Sequence, residues 1–128
     1  MADELFDKGM AVRKAVLGEA YVARAEANKT DFDADWQRYV TEHAWAAVWT
    51  RPGLERRIRS MLTISMLAAL GRLDELGAHI RATRNTGVTQ DEVKEVLLQV
   101  GVYAGAPAAN SAFAVAKRVY KEMEAEGK

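Results

Sequence analysis

The stretch Leu54-Glu-Arg-Arg57-Ile-Arg59-Ser-Met-Leu-Thr-Ile-Ser-Met-Leu-Ala-Ala-Leu70-Gly71 decides the fold. Met, Leu, Ala and Arg are good helix formers, and no strand-like alternation interrupts them. Over residues 61–70 the pattern is apolar almost all round, so this helix must be covered on several sides, by its own chain or by another. Gly71 stops it. A helix of this kind belongs inside an all-α assembly.

Working outward from it, the same reading extends over the whole chain and predicts about six helices. Residues 72–85 form the next, closed by Gly87 as a left-handed terminator. Thr89-Gln-Asp-Glu92 reads as a capping box that opens a further helix, with Val93, Val96, Leu97 and Val100 turned inward. Pro107 starts the last one, with Ala109, Phe113, Ala116, Tyr120 and Met123 on one face. Upstream, Pro52 marks the start of the decisive helix. Residues 30–50 form another, capped by Thr30 or Asp31. Its core stripe is Phe32, Trp36, Tyr39, Val40, His43 and Ala47, with His43 buried and satisfied. Residues 3–28 make the first helix, which Gly18 interrupts. With no repeat, low-complexity segment or linker, residues 1–128 are expected to form a single-domain all-α bundle.

Composition excludes several classes of function. The chain has 128 residues, of which 49% are hydrophobic, so it folds rather than staying disordered. Its 18 basic and 18 acidic side chains cancel, which removes the overall charge that nucleic-acid binding needs. There is no cysteine, hence no disulfide, thiol nucleophile, dithiol redox pair or cysteine-ligated metal. Two histidines on different helices with scattered carboxylates predict no metal site. No apolar run approaches the roughly 20 residues that span a bilayer. Met1-Ala-Asp-Glu4 lacks a basic start and an apolar stretch, so a cytoplasmic protein is expected, with no membrane and no nucleic-acid partner.

Three groupings carry candidate chemistry. Seven of the eleven arginines lie between positions 51 and 84, opposed only by Glu55, Asp74 and Glu75, for a local charge of about +4. Guanidinium groups take carboxylates in bidentate fashion, so the window reads either as a pocket for a small polyanion or as a solvated face with intersubunit salt bridges. His79 shares a helix face with Arg72, Glu75 and Leu76. It is either an acid–base group with Glu75 on one ring nitrogen or a structural histidine. Glu42, Trp45 and Trp49 share a second face, where two indoles either wall a pocket beside a carboxylate or serve packing. Nothing resembles a phosphate-binding loop, a dinucleotide fingerprint or a nucleophile elbow.

Several separated segments, taken in order, resemble the carboxymuconolactone decarboxylase family. They are Trp45-Ala-Ala-Val-Trp49-Thr-Arg51-Pro-Gly-Leu54 with its continuation to Gly71, then His79-Ile-Arg81-Ala-Thr-Arg-Asn85-Thr-Gly87-Val-Thr89-Gln-Asp-Glu92-Val, and Val102-Tyr-Ala-Gly105-Ala-Pro107-Ala-Ala-Asn110. The resemblance covers about residues 32–116, and Gly18-Glu-Ala-Tyr21-Val agrees upstream. The wider superfamily, named for alkylhydroperoxidase D, carries Glu, eleven residues, Cys, two residues, Cys, three residues, His. Counting back from His79 places Ser60, Arg72 and Glu75 in the first three slots. Dithiol chemistry is therefore excluded, and the histidine has another task.

The resemblance implies an alkylhydroperoxidase-D-like helical fold that assembles as a ring-like homo-oligomer, a trimer or hexamer. It implies a cofactor-independent lyase of protocatechuate catabolism, in the β-ketoadipate pathway, that converts the dicarboxylate 4-carboxymuconolactone to β-ketoadipate enol-lactone and CO2. No external electron sink is needed, because the departing carboxylate sits on a ring carbon conjugated to the lactone carbonyl. Arg51, Arg57 and Arg59 are the expected anchors for the dianion, beside Trp45 and Trp49. His79 is the expected proton donor or oxyanion partner, and Glu42 the second candidate for proton delivery. The alternatives are a decarboxylase of a related carboxylated lactone and a noncatalytic oligomeric scaffold or ligand-binding module.

Overall fold

A computed structural model describes residues 2–127. These residues are helical throughout apart from turns, and they divide at Glu55/Arg56 into two compact units. Among the described residues, eight α-helices and one π-helical turn stand where about six helices are expected: Gly18 interrupts the first run as foreseen, and the π-turn and Ala82 divide two others.

The first unit holds α1 (Ala2–Leu17), α2 (Glu19–Asn28), α3 (Ala34–Val40) and a π-helical turn (Thr41–Ala46). Gly18, at φ 97°, adopts a conformation open to glycine and breaks α1 from α2. Arg13 of α1 is buried and reaches Glu26 of α2 at 3.1 Å, tying the two together. Packing of α1 against the π-turn depends on Gly9. A Cβ there would lie 2.1 Å from the Thr41 carbonyl oxygen, so only a glycine lets the backbones approach this closely.

The stripe expected to be the core of this region is not. Phe32 is 99% exposed, and Trp36, Tyr39, His43 and Ala47 also face outward, so His43 is not a buried histidine. Phe32 precedes the helix, in a turn where Thr30 N–H donates to Asp33 Oδ1, so helical spacing did not apply to it. Beyond Val40 the chain takes up an extra residue per turn. Ala47 N–H donates to the Glu42 carbonyl and Trp49 N–H to that of Ala44, five residues back. The buried positions become Thr41, Trp45 and Ala46, while Trp36, Tyr39 and His43 stack in an exposed row at 5.9 and 4.2 Å between centroids.

The second unit holds α4 (Arg56–Leu70), α5 (Leu73–Arg81), α6 (Thr83–Thr86), α7 (Gln90–Tyr103) and α8 (Ala106–Glu126). Pro52 does not open α4; it lies four residues ahead, in a turn. Ile64 and Ala68 of α4, Leu76 and Ile80 of α5, Val93, Leu97 and Val100 of α7, and Val115, Ala116 and Val119 of α8 form the core. The Thr89–Glu92 capping box is present with both hydrogen bonds, Gly87 is left-handed as expected, and Pro107 stands in the first turn of α8. The run predicted over 72–85 breaks at Ala82, where the Thr83 hydroxyl turns back to donate to the Ile80 carbonyl.

Candidate active site

In the second unit the candidate side chains rise from α4 and α5. His79 sits between the fully buried Leu76 and Ile80, and its Nδ1 is out of solvent. Burial pushes its pKa down from 6.5 to about 4, against the opposing pull of the Glu75 carboxylate one turn earlier. At neutral pH only about one imidazole in a thousand is then protonated. A neutral imidazole of this kind is a hydrogen-bond donor or a base, and a poor store of protons.

The first turn of α4 carries Arg56, Arg57 and Arg59 and no acidic residue. Positive side chains at a helix N-terminus work against the macrodipole, so this end of α4 is a concentrated source of positive potential. Arg57 Nη1 pairs with Glu92 Oε2 and also lies 3.9 Å from Met61 Sδ. The other Glu92 oxygen caps α7 through the Thr89 N–H, which together with Arg57 holds that carboxyl below its usual range. Glu92 is thus clamped between the N-terminus of its own helix and Arg57. Arg59 is half-buried with its Nε out of solvent. Two residues apart on one helix, Arg57 and Arg59 lie on different faces.

The rest of the arginine window divides. Arg81 is tied at 2.6 Å to both Glu122 and Glu126 of α8, and Arg84 approaches Glu126 at 3.8 Å, so these two brace helices. Two further polar features escaped the sequence reading. The Thr86 hydroxyl donates to the fully buried Ser60 hydroxyl at 3.0 Å, linking α6 to α4. Burial raises the Tyr120 hydroxyl, which the Thr83 hydroxyl beside it opposes. Ser60 had one signal, its place in the superfamily's glutamate slot; Tyr120 had none, since its spacing marks only a core face.

In the first unit, Glu42 and Trp45 ride on the π-turn, an irregularity often found at functional sites. Glu42 is largely covered and held by Arg38 Nε at 3.1 Å, and Arg38 lies over the Phe6 ring at 5.0 Å. Trp45 is buried and stacks on Trp49 at 5.0 Å with 28° between planes. Arg51 follows in the turn after them and is exposed.

Within the second unit, a cavity of about 480 Å³ between α4 and α7 is lined by Ile58, Met61, Leu62, Met66, Val96 and Tyr103 among others. A second, of about 1040 Å³, is lined by Thr83, Arg84, Lys117, Tyr120, Lys121 and their neighbours. Neither is lined by His79, Arg57 or Arg59. Among the described residues no group of three or more His, Asp or Glu is placed to hold a metal ion, and no helix is long and apolar enough to cross a membrane.

Comparison with known proteins gives this arrangement a context. The chain is 47% identical over 121 residues to a 4-carboxymuconolactone decarboxylase of Acinetobacter baylyi, covering 94% of this chain and 90% of the relative. It is 42% identical over 123 residues to a nitrosuccinic acid decarboxylase of Metarhizium robertsii, covering 96% and 86%. An uncharacterized 15.0 kDa protein of Paracoccus denitrificans is 32% identical over 80 residues, 61% of this chain and 60% of that protein. Residues 34–118, which run through both units and carry every candidate side chain above, match the Carboxymuconolactone decarboxylase family, and the chain belongs to it.

Proposed function

We propose that the chain is a carboxy-lyase that removes CO2 from 4-carboxymuconolactone and releases β-ketoadipate enol-lactone. The observation that carries this is 47% identity along nearly the whole length to a decarboxylase named for that substrate. The chemistry needs no borrowed electron sink. When the C–CO2 bond breaks, the electron pair passes through the ring double bond to the lactone carbonyl oxygen, and a proton then joins the ring carbon beside that carbonyl. The protein's tasks are to hold a dianion, stabilise the oxyanion and return the proton.

Holding the dianion falls to Arg51, Arg57 and Arg59. Gripping the acetate arm with guanidinium groups, while the departing carboxylate lies against the Trp45 and Trp49 indoles, directs remote binding energy to the reacting carbon. Of the two roles expected for His79, its lowered pKa favours oxyanion partner over acid: a neutral imidazole donates a hydrogen bond to the developing charge without parting with its proton. Glu42, held by Arg38, remains the second candidate for returning the proton. The family match, residues 34–118, includes residues of each unit, which supports reading residues 1–128 as one domain.

Self-association completes the reading. Leu62, Met66 and Leu70 of α4 and Leu98, Val102 and Tyr103 of α7 are exposed, an apolar surface that a second copy would cover in a ring of three or six. The reaction belongs in the cytoplasm, in the protocatechuate arm of the β-ketoadipate pathway. The Metarhizium robertsii relative favours a second reading, in which the acid carries a nitro group as its electron acceptor.

The test is turnover of 4-carboxymuconolactone generated in place by its cycloisomerase, followed as CO2 release and loss of conjugated-lactone absorbance. Turnover supports the assignment; stoichiometric binding without CO2 release would make the protein a binding module instead.

A further inference from the structure

Resting on the decarboxylase reading above, a comparison of two substrates says what this site recognises. In 4-carboxymuconolactone, one ring carbon bears the departing carboxylate and a CH2–COO⁻ arm. Nitrosuccinic acid, named for the second relative, bears the same two groups on its substituted carbon. Stripped of what differs, both are succinate dianions. What differs is the acceptor, an unsaturated lactone carbonyl in one and a nitro group in the other. The chain matches the two relatives over 94% and 96% of its length at similar identity.

The side chains are suited to the shared part. A guanidinium reads a carboxylate and is indifferent to a ring. Arg57 pairs through Nη1 with the Glu92 carboxylate, and a guanidinium, with five N–H donors in a fixed fork, can take a second carboxylate beside the first. The half-buried His79 imidazole, its Nδ1 out of solvent and beside the buried Leu76 and Ile80 in α5, is suited to donating to whichever oxygen gathers charge, enolate or nitronate.

We propose that the recognised element is the succinate dianion rather than the lactone ring, and that the substrate class is succinates whose CO2-losing carbon bears an electron-pair acceptor. The step balances for any member. The C–CO2 bond breaks, CO2 leaves, its electron pair moves into the acceptor, and one proton from water joins the resulting anion on carbon.

The experiment is inhibition of lactone turnover by unreactive fragments. Succinate, which has both carboxylates and no acceptor, is expected to compete with a Ki within about tenfold of the lactone's KM, a gap of about 1.4 kcal/mol or less. The parent butenolide, which has the ring and no carboxylate, is expected not to compete, and nitrosuccinate is expected to lose CO2 faster than it does spontaneously. Lactone turnover that succinate leaves untouched, or that the butenolide inhibits better, overturns the inference and spares the reading beneath it. Absence of lactone turnover overturns that reading and the inference together.

Discussion

His79 shows how a single residue's surroundings set its chemistry. Its folded pKa lies near 4 and its unfolded value near 6.5, so the unfolded chain binds more protons in between. Stability is therefore full above pH 6.5 and falls as the pH drops toward 4, by an amount on the order of 3 kcal/mol. The melting temperature should drop across that window in the native protein and drop less in His79→Gln; equal slopes would show that another group is responsible. Activity follows the same titration. With a neutral imidazole as oxyanion partner, kcat should be level from pH 6 to 8, and His79→Ala should keep the fold while lowering kcat by at least ~10²-fold. At Arg51, Arg57 and Arg59, replacement by Lys substitutes a point charge for a fork and should raise KM. Unchanged KM at all three removes them from substrate binding. The sequence showed that an arginine-rich window surrounds this histidine. It did not show that Arg81 and Arg84 spend their charge on Glu122 and Glu126, because those partners lie some 40 residues away in sequence and are brought near as α5 packs on α8.

Among the elements, legibility followed locality. The Thr89–Glu92 box and Gly87 concern neighbours three or four residues apart, and both stand as the sequence indicates. Thr89→Ala should cost about 1 kcal/mol in chemical denaturation, the usual worth of an N-cap. At His43 and Ala47 the expected stripe misled because a π-turn has no sequence signature: one extra residue rotates the side chains in and after it to another face. What holds that turn against α1 is the missing side chain of Gly9. Gly9→Ala places a methyl 2.1 Å from a backbone oxygen that cannot step aside. It should destabilise by about 1–3 kcal/mol, the range for overpacking, as a lowered denaturation midpoint. An unchanged midpoint would mean that α1 does not press on the turn.

At the scale of the whole molecule, the apolar sequence of α4 calls for cover on several sides, and one chain supplies only part of it. Ile64 and Ala68 are buried, while Leu70 is 72% exposed. For the self-association proposed above, Met66→Lys together with Leu70→Glu should shift the protein to smaller species in sedimentation or light scattering, with helical circular dichroism intact. Assembly unaffected by both changes would place the contact elsewhere.

The close fit of Gly9 to Thr41 has a practical consequence. The family match begins at residue 34, so α1 falls outside it, yet α1 is what the turn bearing Glu42 and Trp45 rests against. A shortened chain trimmed to the recognisable segment would keep all seven candidate side chains and lose the support beneath Glu42 and Trp45. Inactivity in such a truncation would then report a collapsed support, not a missing catalyst.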